Sequence, residues 1–253
     1  MDPIEAAREA AASSAAVVAA GGDGTVNAVA SALAGTTVPL GVLALGTLNH
    51  FARDMRLPLD VQQAVAAIAE GRTVRVDVGR VNDRTFVNNA SIGVYPNIVE
   101  LRDRMRRQGR SKLTAFARAT ITVLRTYRGV TIALTSDNGR WVGRTPFVFV
   151  GNNEYTVDGF GLGERQTLVQ GRLVAYVAPR MRSRRLPLLF ARALAGRALQ
   201  SGAFEIFAAR HLELSMSAGL RVRVALDGEV STMTPPLRFA SDPQALHVLH
   251  PDG

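Results

Sequence analysis

One glycine-rich run combines residue types that suit a phosphorylated ligand, namely Gly21-Gly22-Asp23-Gly24-Thr25. Glycines let a backbone approach phosphate oxygens closely, and the start of a helix favours negative charge. Asp23 would repel phosphate unless a divalent cation lay between them, so the pattern favours a magnesium-nucleotide complex as the ligand. A tight strand-to-helix turn with the aspartate as a local cap explains the same residues equally well.

The spacing of the glycines excludes two familiar nucleotide-binding loops. No Gly-Lys-Ser or Gly-Lys-Thr follows, so the run is not a Walker loop, and it lacks the Gly-x-Gly-x-x-Gly pattern of a Rossmann fingerprint. Near the end of the chain, the pair Asp227-Gly228 predicts a hairpin turn followed by Glu229. His211, His247 and His250 lack metal-ligand spacing to one another, so no zinc site is predicted.

The elements around the glycine run predict a parallel sheet covered by helices. An apolar strand over residues 15–20 runs into the loop, and a helix follows over residues 26–34. The order repeats once, with a strand over residues 38–44, a second loop at residues 46–49 and a helix over residues 61–70. The order strand, glycine loop and helix therefore occurs twice in succession.

The pattern then changes to short strands that are typical of an antiparallel β-sandwich. Residues 73–81 alternate at period two, and Asn82-Asp83 predicts a turn into a second strand that ends near Asn89. Six more strand-like runs follow, together with helix-like stretches near residues 98–128 and 183–198. The second part of the chain should therefore be mostly β.

Length and composition support a folded protein with two domains. The chain has 253 residues, of which 47% are hydrophobic and 20% charged, which is typical of globular proteins. We predict an α/β nucleotide-binding domain over residues 1–77, followed by a mostly antiparallel β-sandwich domain over residues 78–253. The absence of cysteine excludes disulfides and thiolate metal sites. No apolar run reaches the roughly 18 residues that a membrane-spanning helix needs.

The net charge of +9 is concentrated in two stretches. Residues 101–128 carry nine Lys or Arg with Asp103 as the single acid, and residues 180–197 carry six Arg with no acid. Such stretches attract anionic lipid headgroups and nucleic acid equally well. A solvated basic face is the simpler alternative.

Four motifs in this order resemble the diacylglycerol kinase catalytic-domain family, which includes bacterial lipid kinases and the sphingosine and ceramide kinases. They are GGDGT followed by Val-Asn, then PLGVLALGTLNHFARDMRLP, then RTVRVDVGRVN with FVNNASIGV, and finally ALDGEV. GGDGT alone also occurs in NAD kinases and phosphofructokinases, whereas GTLNHFAR at this distance indicates lipid kinases. The resemblance covers nearly the whole chain.

The resemblance implies a nucleotide domain of the NAD kinase and diacylglycerol kinase type, with the active site in the cleft between it and the β-rich domain. It also implies that ATP is bound by residues of the two loops. The candidate ATP-binding residues are Gly21, Gly22, Asp23, Gly24, Thr25, Thr47 and Asn49.

The resemblance further implies that the catalytic acids come from both domains. One carboxylate of Asp227-Gly228-Glu229 must accept the proton of the lipid hydroxyl, and we assign that role to Glu229. Asp227 and Asp23 are expected to organise Mg²⁺ as its ligands. Residues 151–154 match a position where a strand of the family ends at the cleft, so they either face the substrate or form a polar loop.

The implied activity is that of an ATP-dependent lipid kinase acting on diacylglycerol or a similar lipid alcohol. The basic stretches are then expected to contact anionic phospholipid headgroups and not nucleic acid. The protein should be cytoplasmic and bind peripherally at the inner face of the membrane. An NAD-kinase-like enzyme and a non-catalytic lipid-binding remnant of a lipid kinase are alternative hypotheses.

Several positions depart from the family pattern. Asn27-Ala28 stands where Asn-Glu is usual, His50 stands where Asp is frequent, and residues 169–171 replace the Asp-Asp-Gly of a structural magnesium site. Only 20 residues precede the first loop, so the family's first strand and phosphate loop are expected to be missing. We therefore expect weak ATP binding and a strand edge that favours homo-oligomers.

Overall fold

The computed structural model describes residues 2–47, 49–108, 111–127, 129–155, 165, 167–178, 204–216 and 221–252. The helices in these ranges are α1 (Pro3–Ala11), α2 (Asp23–Leu33), α3 (His50–Asp54), α4 (Val61–Glu70), α5 (Val94–Arg107) and α6 (Lys112–Thr126). The strands are β1 (Val17–Gly21), β2 (Leu40–Ala44), β3 (Thr73–Val81), β4 (Arg84–Phe86), β5 (Asn89–Gly93), β6 (Val130–Ser136), β7 (Gly139–Thr145), β8 (Phe147–Asn152), β9 (Leu173–Val177), β10 (Glu205–Ala209), β11 (His211–Ser215), β12 (Val222–Leu226), β13 (Glu229–Met233) and β14 (Leu237–Leu249). None of the described helices is long and apolar enough to cross a bilayer.

The strands form two sheets. The 8-stranded sheet has the order β1-β2-β14-β11-β6-β7, with β3 paired to β14 and β4 paired to β3. The 6-stranded sheet has the order β10-β9-β8-β5-β12-β13, and all its neighbouring strands are antiparallel. Because β1 and β2 are parallel and are covered by helices, the predicted α/β domain followed by an antiparallel sandwich is confirmed. The predicted self-association stays a prediction.

Strand β14 connects the two parts of the molecule. One end pairs in parallel with β2, the other end pairs antiparallel with β11, and β3 pairs along both segments. The pairing with β3 shifts register between Asp242 and Leu246. The buried carboxylate of Asp77 stabilises this bulge, since it accepts N–H bonds from Gln244 at 2.9 Å and Gly171 at 2.6 Å. The domain boundary predicted between residues 77 and 78 falls inside β3 and stays a prediction.

The apolar side chains form two main cores. One lies where α1 and α2 cover β1, β2 and part of β3, and it contains the fully buried Phe51 and Leu33. The other fills the space between the two sheets, where Phe86 meets Phe239 edge to face at 6.5 Å. Each buried side chain of this size contributes roughly 1.5–3 kcal/mol, so both cores hold the loops at their margins in place.

The helices of the second part form a hairpin. The stretch predicted as helical near residues 98–128 is two helices, α5 and α6, because Ser111 caps a new helix by accepting a bond from the N–H of Thr114. The two helices pack through a small apolar cluster that includes Ile98 and Ala119. The predicted helix near residues 183–198 and the basic stretch at residues 180–197 lie outside the described residues.

Candidate active site

The two predicted loops lie side by side. They follow β1 and β2, parallel neighbours in which Gly21 is paired with Ala44. The backbones of Gly22 and Gly46 are in contact, since a Cβ added to Gly46 would lie only 2.5 Å from the Cα of Gly22. The structure therefore requires glycine at position 46 for the loops to approach this closely.

The first loop leads directly into α2, which begins at Asp23. The N-cap residue, Gly22, has no side chain to accept a bond from the first N–H groups of the helix. These donors and the helix dipole favour an anion at this end. Thr25 packs against Gly21, where an added Cβ would lie 2.6 Å from its Oγ1 atom, and Gly24 is exposed. This is the geometry expected of a phosphate-binding loop, and phosphate binding by these residues stays a prediction.

The carboxylate of Asp23 contacts the second loop. Its Oδ2 atom accepts the N–H of Asn49 at 3.0 Å, and its Oδ1 atom accepts the N–H of His50 at 2.7 Å. Asp23 therefore caps the N-terminus of α3 and not its own turn. This structural role, which joins the two loops, was not predicted from the sequence.

Asn49 supports the second loop from inside. It has a left-handed backbone with φ 52°, and its side chain accepts the N–H of Gly46 at 3.0 Å. Its amide group donates to the carbonyls of Ala44 and Gly46 at 3.2 and 3.0 Å. Thr47 is exposed in the same loop, so it is more accessible to a ligand than the buried Asn49. Their predicted contacts with the nucleotide stay predictions.

The hairpin of β12 and β13 brings an acidic side chain to the first loop. Asp227 and Gly228 have φ values of 48° and 89°, as the predicted two-residue turn requires. Glu229 follows the turn, and a Cβ added to Gly24 would lie 3.3 Å from its Oε1 atom. The carboxylate of Glu229 accepts no hydrogen bond from the described residues of the chain. The structure therefore brings Glu229 next to the start of α2.

Asp227 anchors the same hairpin. Its Oδ2 atom accepts the N–H of Val87 at 2.8 Å, and its Oδ1 atom accepts those of Asn88 and Asn89 at 2.8 and 2.9 Å. Burial raises the pKa of Asp227 to about 6, while the three N–H bonds and the Arg165 guanidinium oppose this increase. The side chain fixes the turn that presents Glu229.

The raised pKa of Asp227 predicts how stability depends on pH. The pKa of Asp227 is about 6 in the folded protein and 3.8, the ordinary value, in the unfolded chain, so the folded protein binds the proton more tightly. The resulting contribution to stability is fully present below pH 3.8 and is lost as the pH rises through about 6. Two pKa units correspond to at most about 3 kcal/mol. Between about pH 4 and about pH 7, the wild type should therefore lose stability relative to Asp227→Asn, as measured by urea unfolding. A gain in the stability of the wild type relative to Asp227→Asn over this pH range would contradict the raised pKa of Asp227.

The carboxylates do not form a ready-made metal centre within the described residues. No three Asp, Glu or His side chains converge there in a group that could hold a metal ion. Asp23 and Asp227 both accept backbone N–H bonds, which occupy some of the lone pairs that a direct ligand would offer. The assignment of Mg²⁺ to Asp23 and Asp227 stays a prediction.

A buried ion pair near the hairpin was missed by the sequence analysis. The Nε atom of Arg165 donates to Asp54 at 2.7 Å, and its Nη1 atom donates to the carbonyls of Val87 at 2.7 Å and Asn152 at 3.1 Å. Its Nη2 atom donates to the Asn88 side chain at 2.6 Å. The sequence around Arg165 gives no signal that this arginine is buried. Asn88 lies in the FVNNASIGV motif, but no role in the site was assigned to the residues of that motif.

Residues 151–154 were predicted to face the substrate or to form a polar loop. The structure buries Asn152 completely, and its amide group donates to the carbonyls of Asp77 and Val87. Glu154 is exposed and forms an ion pair with Arg172 at 2.7 Å. These contacts favour a structural role for Asn152.

Family models match both parts of the chain. The model of the diacylglycerol kinase catalytic domain matches residues 2–81. The model of the YegS C-terminal NAD kinase beta sandwich-like domain matches residues 88–250. The second match alone covers more than half of the sequence.

Curated relatives and a solved structure are consistent with these matches. A probable lipid kinase YegS-like protein of Cronobacter sakazakii is 47% identical over 81 residues, which are 30% of this chain and 27% of the relative. A diacylglycerol kinase of Staphylococcus saprophyticus is 42% identical over 91 residues, which are 35% of this chain and 30% of the relative. The chain thus matches less than a third of the length of these relatives. A diacylglycerol kinase structure from Bacillus anthracis shares the fold, with a TM-score of 0.68 at 18% identity over 98% of this chain and 81% of that chain.

Proposed function

This chain belongs to the family in which a diacylglycerol kinase catalytic domain is followed by a YegS C-terminal domain, and we propose that it is an ATP-dependent lipid kinase. The proposed reaction transfers the γ-phosphate of ATP to the hydroxyl of diacylglycerol or a similar lipid alcohol. ATP is the phosphate donor and Mg²⁺ accompanies it, as in other phosphoryl transfers.

One observation carries the proposal, namely the position of Glu229 beside Gly24. The carboxylate of Glu229 accepts no hydrogen bond from the described residues, and it lies next to the N-terminus of α2, where the free N–H groups favour a phosphate. Phosphoryl transfer needs these two features close together, because the acceptor hydroxyl must lose its proton while it attacks the phosphate.

The residues of the chain then have distinct roles. The loop from Gly21 to Thr25 binds the phosphates of ATP through backbone N–H groups at the start of α2. Glu229 accepts the proton of the lipid hydroxyl as that oxygen forms a bond to the γ-phosphorus, and the bond between this phosphorus and the bridging oxygen breaks to release ADP. Asp227 holds the turn before Glu229.

The decisive test is transfer of labelled γ-phosphate from ATP to vesicles that contain diacylglycerol, with NAD⁺ as a soluble acceptor in a parallel assay. We expect label in the lipid and none in NAD⁺. Label in NAD⁺ would favour the NAD-kinase-like alternative. Transfer to neither acceptor, with vesicle binding retained, would favour a non-catalytic lipid-binding protein.

The α5–α6 hairpin is the proposed contact with anionic phospholipids at the inner face of the membrane. In its described part, Arg102 and Arg104 are paired with acids, whereas the exposed Arg107 and Arg118 form no ion pair. Ile121 is 51% exposed and lies one turn from Arg118 on α6. Exposed cations beside an apolar side chain suit an anionic bilayer surface.

Binding to anionic vesicles should therefore weaken as salt is added, because screening limits the reach of exposed charges to about 8 Å near physiological ionic strength. The double variant Arg107→Gln and Arg118→Gln should bind less tightly in a vesicle sedimentation assay, by roughly 1 kcal/mol for each charge. Arg140→Gln, on the exposed strand β7, is the control and should bind like the wild type. Equal binding to neutral and anionic vesicles would contradict the proposed contact.

A further inference from the structure

The buried pair of Asp54 and Arg165 connects the nucleotide-binding part to the sandwich. The Arg165 side chain is 0% exposed and that of Asp54 is 7% exposed. Asp54 is the last residue of α3, whereas the other partners of Arg165 are groups of Val87, Asn88 and Asn152 in the sandwich. The Arg165 guanidinium also lies over the ring of Tyr155 at 5.6 Å. A side chain with so many fixed partners has one position.

Helix α3 is held at both ends. At its start, the N–H groups of Asn49 and His50 donate to the carboxylate of Asp23 in the first loop. At its end, Asp54 accepts the Nε–H of Arg165. The five residues of α3 therefore connect the first loop to Arg165 through hydrogen bonds at both ends.

The segment of residues 87–89 lies between Arg165 and the hairpin of β12 and β13, which carries Glu229. Arg165 binds the carbonyl of Val87 and the side chain of Asn88. The N–H groups of the same segment donate to Asp227, which precedes Glu229 by two residues. The contacts thus form a closed ring that runs from Asp23 through α3, Arg165 and residues 87–89 to Asp227, and from Glu229 back to Gly24.

We propose that Asp54 and Arg165 are positioning residues that set the placement of Glu229 against the first loop, a role that rests on the proposed kinase function. Neither residue touches the reacting atoms. They act through residues 87–89 and the hairpin turn, so their loss should affect turnover and not the binding of ATP or lipid. Misplacing a catalytic group by about 1 Å can cost about 100-fold in rate.

The experiment compares Asp54→Ala with the conservative Asp54→Asn, which keeps an acceptor for the Nε–H of Arg165. We expect Asp54→Ala to lower kcat by about 100-fold, with both KM values unchanged within about threefold. Asp54→Asn should restore most of the lost kcat. The control is Glu70→Ala, which removes the exposed ion pair between Glu70, the last residue of α4, and Arg72, and it should leave kcat unchanged. A wild-type kcat in a folded Asp54→Ala protein would overturn the proposal.

A second comparison asks whether the pair acts through Glu229. In an already slow Glu229→Gln background, Asp54→Ala should lower kcat by no more than about threefold, because residues that act as a unit are not additive. A further loss of about 100-fold in that background would overturn the proposal. Removing one partner of a buried pair can prevent folding, so Arg165→Lys is the second variant. It keeps the charge beside Asp54 but cannot reach all the other acceptors, and it should show the same loss of kcat.

Hydrogen exchange gives a readout that does not depend on activity. In Asp54→Ala or Arg165→Lys, the amides of Asn88 and Asn89 should exchange about tenfold faster than in the wild type, and those of the Glu70→Ala control should not. Unchanged exchange in both variants would overturn the positioning role. If the wild type transfers no phosphate, the kinase proposal fails while the exchange rates still decide whether the pair holds this segment.

Discussion

Replacing Glu229 by glutamine is expected to lower kcat by about 100-fold to 10,000-fold. Glutamine has the same shape but cannot accept the proton of the attacking hydroxyl. The side chain lies beside Gly24 and is exposed, so the replacement leaves no buried group unpaired. Since proton acceptance matters mainly in the transition state, KM for ATP should stay within about threefold of the wild-type value.

Steady-state kinetics with ATP and diacylglycerol vesicles measures this effect. Glu213→Gln removes a half-buried carboxylate from strand β11 and serves as the control, since its partners are Ser215 and Arg238 and not the glycine loops. Its kcat should match that of the wild type. If Glu229→Gln changed only KM for ATP, Glu229 would be a nucleotide ligand and another group would have to accept the proton.

Replacing Gly46 by alanine is expected to separate the two glycine loops. The added Cβ would lie 2.5 Å from the Cα of Gly22 and 2.7 Å from the Oδ1 atom of Asn49. Neither neighbour can yield easily, because one is backbone and the other is held by three hydrogen bonds. Such overpacking costs roughly 1–3 kcal/mol of folding stability. The displaced loops should also bind ATP more weakly.

The matched control for this change is Gly22→Ala, which approaches the same contact from the opposite side. Its added Cβ would lie 3.4 Å from the Cα of Gly46, an ordinary contact distance. Urea unfolding should therefore show a clearly smaller loss for Gly22→Ala than for Gly46→Ala. Equal losses in the two variants would contradict the conclusion that the contact at Gly46 is the tighter one.

The local pattern of residues was sufficient to predict β1, β2, α2, α4 and the two loops, whereas α3 and the strands β7, β10 and β13 were missed. Apolar runs, cap residues and turn residues act over a few positions, so they can be recognised in the sequence. Asp60 caps α4 and Gly71 ends it in a left-handed conformation, as the pattern indicates. The Asp227-Gly228 turn follows the same logic, since both residues adopt positive φ. The resemblance to the family rested on local motifs for the same reason, and GTLNHFAR was the most specific of them.

Contacts between distant parts of the chain were decided by the tertiary structure. The capping of α3 by Asp23, the three N–H bonds to Asp227 and the burial of Arg165 join residues that are far apart in sequence. These contacts form only once β1 and β2 lie side by side in one sheet and β12 pairs with β5 in the other. No local preference encodes such a contact, because a carboxylate or a guanidinium has the same sequence signature whether it is solvated or buried. Only packing, which removes water and fixes the partner, determines which role the side chain takes.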